Sequence, residues 1–180
     1  MLKNNKSPAT PLRHTLREDS PLLPSVRDGL QALEAGHRDY IAGDIRAAFA
    51  DSLNLDDAMR AGHENENRWD YLLGHAPSNE VVALEPHSAK QEEISRVVRK
   101  LAAAKGHLQD HLRDGARIKR WLWVASGKVQ FADTEKTRRL LDQKGIQFVG
   151  TVVNAKHLPP GTTPRPGEAD PRPAKKRARR

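Results

Sequence analysis

Two short apolar runs joined by a tight break, and followed at once by a long amphipathic stretch, most constrain what this chain can fold into. The runs are Trp69–Leu73 and Glu80–His87, and Gly74–Asn79 with its Pro77 lies between them. Both runs are rich in aromatic, branched and aliphatic residues, which favour extended backbone. So short a link predicts an antiparallel hairpin, because parallel strands need a long crossover. Side chains alternate along a strand, so Val81, Ala83, Glu85 and His87 share one face. Ser88 is then a candidate N-cap for a helix over 88–113. Gln91, Glu92 and Glu93 fall in its first turns, where acid suits the helix dipole. Ile94, Val97, Val98, Leu101, Leu108 and Leu112 form an apolar stripe at helical spacing, with Arg96, Arg99 and Lys100 mostly off it. Asp114-Gly115 ends the helix.

The other elements read less sharply. Residues 1–24 contain Pro8, Pro11, Pro21 and Pro24 among polar residues and are expected to be poorly ordered. Ser25 caps an expected helix over 26–42, with Val26, Leu30, Leu33 and Ile41 on one side. A second helical stretch is expected over 44–51, and Leu53–Met59 fits either a short helix or a strand. Residues 62–67 read as a loop. Trp121–Ala125 reads as a strand buried on both faces, the pattern of a parallel or central strand. Val129–Ala132 is a candidate edge strand. A helix is expected over 134–144, with Leu140 and Leu141 inward and Gly145 as its stop. Ile146–Val153 reads as the last strand. Helices, strand, strand, helix, strand, helix, strand give an α/β class with a mixed central sheet flanked by helices.

Charge divides the chain into three parts. The formal net charge is +8, with no cysteine. Residues 1–24 carry +2 and residues 159–180 carry +5, which leaves only +1 over residues 25–158. The expected organisation is therefore a polar N-terminal segment (1–24), an α/β domain (25–158) and a disordered, Pro-rich basic tail (159–180). The charge does not mark a basic face on the domain itself. Without cysteine there are no disulfides and no thiolate metal sites. No signal peptide or transmembrane run is visible, so a cytoplasmic location is expected.

Asp70 lies on the first apolar run and Glu85 near the end of the second. Adjacent strands can bring two such carboxylates within a few ångströms. Hard Mg²⁺ takes one or two protein carboxylates plus water and substrate phosphate. Asp70, fourteen intervening residues, Glu85-Pro86-His87, the long helix and the strand at 121–125 together resemble the PD-(D/E)XK nuclease superfamily. The phrases Asn67-Arg68-Trp69-Asp70-Tyr71 and Glu85-Pro86-His87 also resemble those of bacterial proteins of this size whose function is unassigned. The superfamily resemblance implies a restriction-endonuclease-like fold. It implies that Asp70 and Glu85 bind Mg²⁺ or Mn²⁺. The third motif position, His87, would orient or activate water, and Lys90 at the helix start is the alternative as a migrated lysine. His87 departs from the superfamily, which usually carries lysine there. The implied function is a Mg²⁺-dependent nuclease or a nuclease-like DNA-processing protein. The alternative is a catalytically inactive nuclease-fold subunit that binds nucleic acid, or a protein partner in a larger system. Against both stands a plainer arrangement, in which Glu85 and His87 pair at a strand end and Asp70 pairs with Arg68.

Other residues carry weaker expectations. Glu34, Glu64 or Glu66 would supply the extra acid that related nucleases draw from outside the hairpin. His107 and His111 have the i, i+4 spacing that suits zinc, but no third ligand is near in sequence. His63 and His75 read as loop residues. Trp69, Trp121 and Trp123 read as core more readily than as base-stacking platforms. Lys175, Lys176, Arg177, Arg179 and Arg180 are the candidate nucleic-acid contacts, through the phosphate backbone. Neither a Gly-x-Ser-x-Gly elbow nor a Gly-rich phosphate loop occurs.

Overall fold

The computed structural model describes residues 10–131 and 135–162. Its elements in chain order are α1 (Pro11–Thr15), β1 (Arg27–Asp28), β2 (Phe49–Asn54), α2 (Leu55–Ala58), β3 (Tyr71–His75), β4 (Glu80–His87), α3 (Ile94–Leu108), β5 (Arg120–Ala125), α4 (Glu135–Lys144) and β6 (Ile146–Phe148). The strands form one six-stranded sheet in sequence order. From β1 to β4 the pairing is antiparallel. From β4 through β5 to β6 it is parallel, with α3 and α4 as the crossovers. The sheet is therefore mixed, and the hairpin from β3 to β4 forms as expected, with Leu72 opposite Ala83.

Burial explains the strand pattern. One face packs Trp69, Leu72, Val81, Ala83, Trp121 and Trp123 against α1, α3 and α4. The other packs Tyr71, Leu73, Val82, Leu84, Leu122 and Val124 under the irregular segments around Leu33, Ile41 and Val153. Alternate residues of β4 and β5 thus enter different cores, which is why both strands read as continuous apolar runs. All three tryptophans are core residues, as expected.

Several expectations fail for identifiable reasons. Within 1–24, residues 10–24 are part of the fold: Leu12, Leu16 and Leu22 are buried. Residues before Thr10 lie outside the described residues. Asp51 supplies the missing order. Its carboxylate, on β2, accepts from the Leu12 N–H at 3.1 Å and the Arg13 N–H at 2.9 Å, and also from the Thr10 hydroxyl. A side chain distant in sequence thus caps α1. The helix expected over 26–42 does not form. Arg27 and Asp28 pair with Ser52 and Asp51, Gly29 takes a positive φ of 53°, and 35–40 form a 3-10 turn. Instead of a helix over 44–51, a 3-10 turn covers 43–48 and leads into β2. Residues 129–131 pair in no strand, although the Gln130 N–H donates to the Ala89 carbonyl. In α4 only Leu141 is buried, and Leu140 is exposed. The last strand stops at Phe148. Gly150 turns the chain at positive φ, and Val153 makes an isolated bridge to Ile41.

Candidate functional site

Asp70 stands just before β3, and its backbone is held on both sides. Its N–H donates to Glu85 Oε2 at 3.0 Å, and its carbonyl accepts from the Leu55 N–H at 2.8 Å at the start of α2. Glu85 sits on β4 beside Trp123 of β5, on the face that α3 covers, and its side chain has no solvent exposure. The two carboxylates expected to act together are therefore brought together. What joins them is Lys100. This residue lies within α3, and its Nζ is 3.3 Å from Asp70 Oδ1 and in contact with Glu85 Oε1.

The electrostatics follow from burial and from sharing one cation. Desolvation, with the Glu85 charge next in weight, pushes the Asp70 carboxyl up to about 7 in spite of Lys100. Burial pulls the Lys100 ammonium down, but the Glu85 and Asp70 carboxylates outweigh it and hold its pKa above the usual lysine value. His87 is a neighbour of the pair. Its Nδ1 lies 3.4 Å from Glu85 Oε1 and its Nε2 lies 2.8 Å from Glu93 Oε2. Glu85, then Glu93, raise its pKa against the opposing cost of burial. The Trp123 indole N–H donates to the His87 carbonyl at 3.2 Å and fixes the strand end.

Lys90 does not join the Asp70–Glu85 pair: it is exposed, precedes the 3-10 turn at 91–93, and its charge bears on Glu93. Lys100, further along the helix, supplies instead the ammonium that stands against both carboxylates. The proposed pair of Asp70 with Arg68 does not form. Arg68 Nε instead binds Asp56 Oδ1 at 2.9 Å. Glu85 and His87 do pair at the strand end. Glu34 shares a cavity of about 420 Å³ with Asp70, Asp56 and Tyr71. Glu64 accepts from the Gly62 N–H at 3.0 Å. Glu66 meets His107. His111 does not act with His107, since its Nδ1 is 3.0 Å from Ser20 Oγ. Lys175, Lys176, Arg177, Arg179 and Arg180 lie outside the described residues.

Lys100 was missed in the sequence, yet it left a trace. Glu93, Lys100 and His107 recur every seven residues. Seven residues are nearly two helical turns, with a drift of about 20°. Glu93 at the N-cap of α3, and Lys100 and His107 within it, therefore share one flank, beside the buried stripe of Ile94, Val97, Leu101, Ala104 and Leu108. Each faces a partner from the segment 63–87: Glu93 faces His87, Lys100 faces Asp70 and Glu85, and His107 faces Glu66.

Comparison with protein-family models, with curated proteins and with solved structures gives no match to this chain. Among the described residues no helix is long and apolar enough to cross a membrane.

Proposed function

We propose that the chain is a Mg²⁺-dependent nuclease or nuclease-like DNA-processing protein of restriction-endonuclease-like fold. Its working residues are Asp70, Glu85 and Lys100, and His87 supports them. The observation that carries this reading is the contact of one lysine with both carboxylates. An acid just before β3, a second on β4 and an ammonium from the next helix form a compact, largely desolvated set. The order of elements supports it too: a three-stranded antiparallel meander, β2 to β4, then a helix and a parallel strand.

The donor set fits a hard divalent ion. Asp70 and Glu85 offer carboxylate oxygens, and the Lys100 ammonium already lies where their negative charges meet, as a cation would. Bound Mg²⁺ or Mn²⁺ would supply Lewis acidity and lower the pKa of bound water. Lys100 would then turn its ammonium toward a phosphodiester oxygen or the attacking water. In that role a constant charge serves better than the switchable charge of His87. His87, held between Glu85 and Glu93, keeps the Glu85 carboxylate oriented.

The test is cleavage of single- and double-stranded DNA and of RNA with Mg²⁺ or Mn²⁺. Wild type is compared with Asp70→Ala, Glu85→Gln and Lys100→Met. Metal-dependent cleavage lost in all three, with the fold intact by circular dichroism, is the expected result. Full activity in any of them would sink the proposal. A second reading is favoured by the complete burial of Glu85 and its saturation by Lys100 and His87. On that reading the chain is an inactive nuclease-fold subunit that binds nucleic acid or a protein partner. DNA binding without cleavage at any metal concentration would select it.

A further inference from the structure

We propose that His63, Glu66 and His107 form a binding site for one transition-metal ion of the zinc class, separate from the carboxylate pair of Asp70 and Glu85. One ligand atom from each of the three lies within 4.8 Å of the others, and no other such trio of His, Asp or Glu occurs among the described residues. Two imidazoles and a carboxylate are the donors that zinc and its neighbours prefer, whereas Mg²⁺ prefers oxygen. Three protein ligands leave a fourth tetrahedral position for water or a further ligand.

The local geometry is poorly explained without an ion. His107 Nε2 contacts Glu66 Oε2. His63 Nδ1 is 3.0 Å from the same oxygen but out of line for a hydrogen bond. His63 Nδ1, the ring nitrogen turned to Glu66, is buried and has no hydrogen-bond partner. Such a nitrogen is costly to leave unsatisfied. The rings pack with centroids 4.7 Å apart. Both histidines thus converge on one carboxylate oxygen, from a loop and from a helix.

The placement gives the ion a structural task. His63 and Glu66 lie in the loop between α2 and β3, just ahead of Asp70. His107 lies one heptad beyond Lys100 on the same flank of α3. An ion at this point would tie the segment carrying Asp70 to the helix carrying Lys100. A loop held by Arg68 on Asp56 and by the buried Trp69 would gain a further clamp.

The experiment uses the untagged full-length chain, stripped with a chelator and titrated with Zn²⁺ by calorimetry and with Co²⁺ by visible absorption. One equivalent of Zn²⁺, and Co²⁺ bands of tetrahedral intensity, are expected. His63→Asn, Glu66→Gln and His107→Gln should each weaken binding at least about tenfold. Asp70→Asn and Glu85→Gln should leave it unchanged. Because a variant can fail to fold, the wild type is also followed by imidazole nitrogen NMR during Zn²⁺ titration. Selective shifts of His63 and His107, with His75 and His157 unmoved, support the site. Absence of saturable binding overturns it. So does binding that survives in both histidine variants or is lost in Asp70→Asn. These outcomes do not depend on nuclease activity.

Discussion

Lys100 is the counter-ion of Glu85: its ammonium contacts a carboxylate that has no access to solvent. An ammonium that leaves such a partner behind exposes the fold to the full cost of a buried charge. Lys100→Met should therefore destabilise the protein by about 3–5 kcal/mol. The double variant Lys100→Met with Glu85→Gln should recover much of that loss, because no uncompensated charge remains. Urea unfolding of the two single variants and the double variant closes the cycle. If the single loss stays below about 1 kcal/mol, the pair is only a surface contact and the compact site is not formed.

Asp70 gives a pH-dependent comparison. Its folded pKa of about 7 lies above the ordinary aspartate value of 3.8. Between those limits the folded state holds a proton that the unfolded state has released. The contribution of Asp70 to stability is thus present at low pH and falls as pH rises toward 7. Asparagine does not titrate. The stability of Asp70→Asn relative to wild type should rise by up to about 1.4 kcal/mol per pH unit in that window and level off above it. Denaturant titrations at a series of pH values measure the slope. A flat difference would mean that Asp70 is ionised throughout, its charge fully met by Lys100.

How much of this was legible in the sequence depends on the range of each interaction. The strand Glu80–His87 is legible to its observed bounds, because a run of strand-favouring residues and the Pro-containing break before it are local signals. That Asp70 and Glu85 are neighbours is legible because strand pairing brings successive runs together. Lys100 was passed over because it flanks the apolar stripe, where a lysine ordinarily reaches solvent. It becomes a site residue only after β3 and β4 deliver two acids beneath it. Pro11 at the start of α1 is a local helix signal. The cap that steadies that helix comes from Asp51, so no window around residues 11–15 contains it. The same holds for His63 and His107, which the fold brings together across the loop 59–70 and α3.

Three histidines should make the fold acid-sensitive. Burial lowers the pKa of His75, His111 and His157. His157 Nδ1 also accepts from the Asn154 N–H at 3.1 Å, a bond that protonation there removes. With folded values below the unfolded 6.5, the unfolded state binds more protons in the interval between them. Stability should fall as pH drops below about 6.5 toward the folded values. His87, with a raised value, opposes this: its contribution is present below its unfolded pKa and is lost as pH rises through the folded one. Asp70, with its carboxyl pushed up to about 7, also opposes them over this range, so the comparison is made in Asp70→Asn, where three groups against one predict a lower thermal midpoint at pH 5 than at pH 7. Histidine-to-glutamine replacement at 75 and 157 should flatten the profile in that range. An unchanged profile would show that these rings do not carry it.

Gly74 lies opposite Asp51 in the β2–β3 pair, where it leaves space that the capping carboxylate fills. A Cβ at position 74 would meet Asp51 Oδ1 at 1.8 Å and the Leu12 N at 3.0 Å. The obstacle is not a flexible chain end. Asp51 is wholly buried and committed to the first residues of α1, so it cannot swing away without stranding those N–H groups. Gly74→Ala should therefore cost at least about 3 kcal/mol, the sum of overpacking and a disturbed buried charge. Asp51→Ala should cost a similar amount by leaving the α1 donors unmet. Adding Asp51→Ala to Gly74→Ala should cost little more, since the clash and the cap share one carboxylate. Thermal or urea unfolding of the three proteins decides it. Additive losses would show that Gly74 is required for a reason other than Asp51.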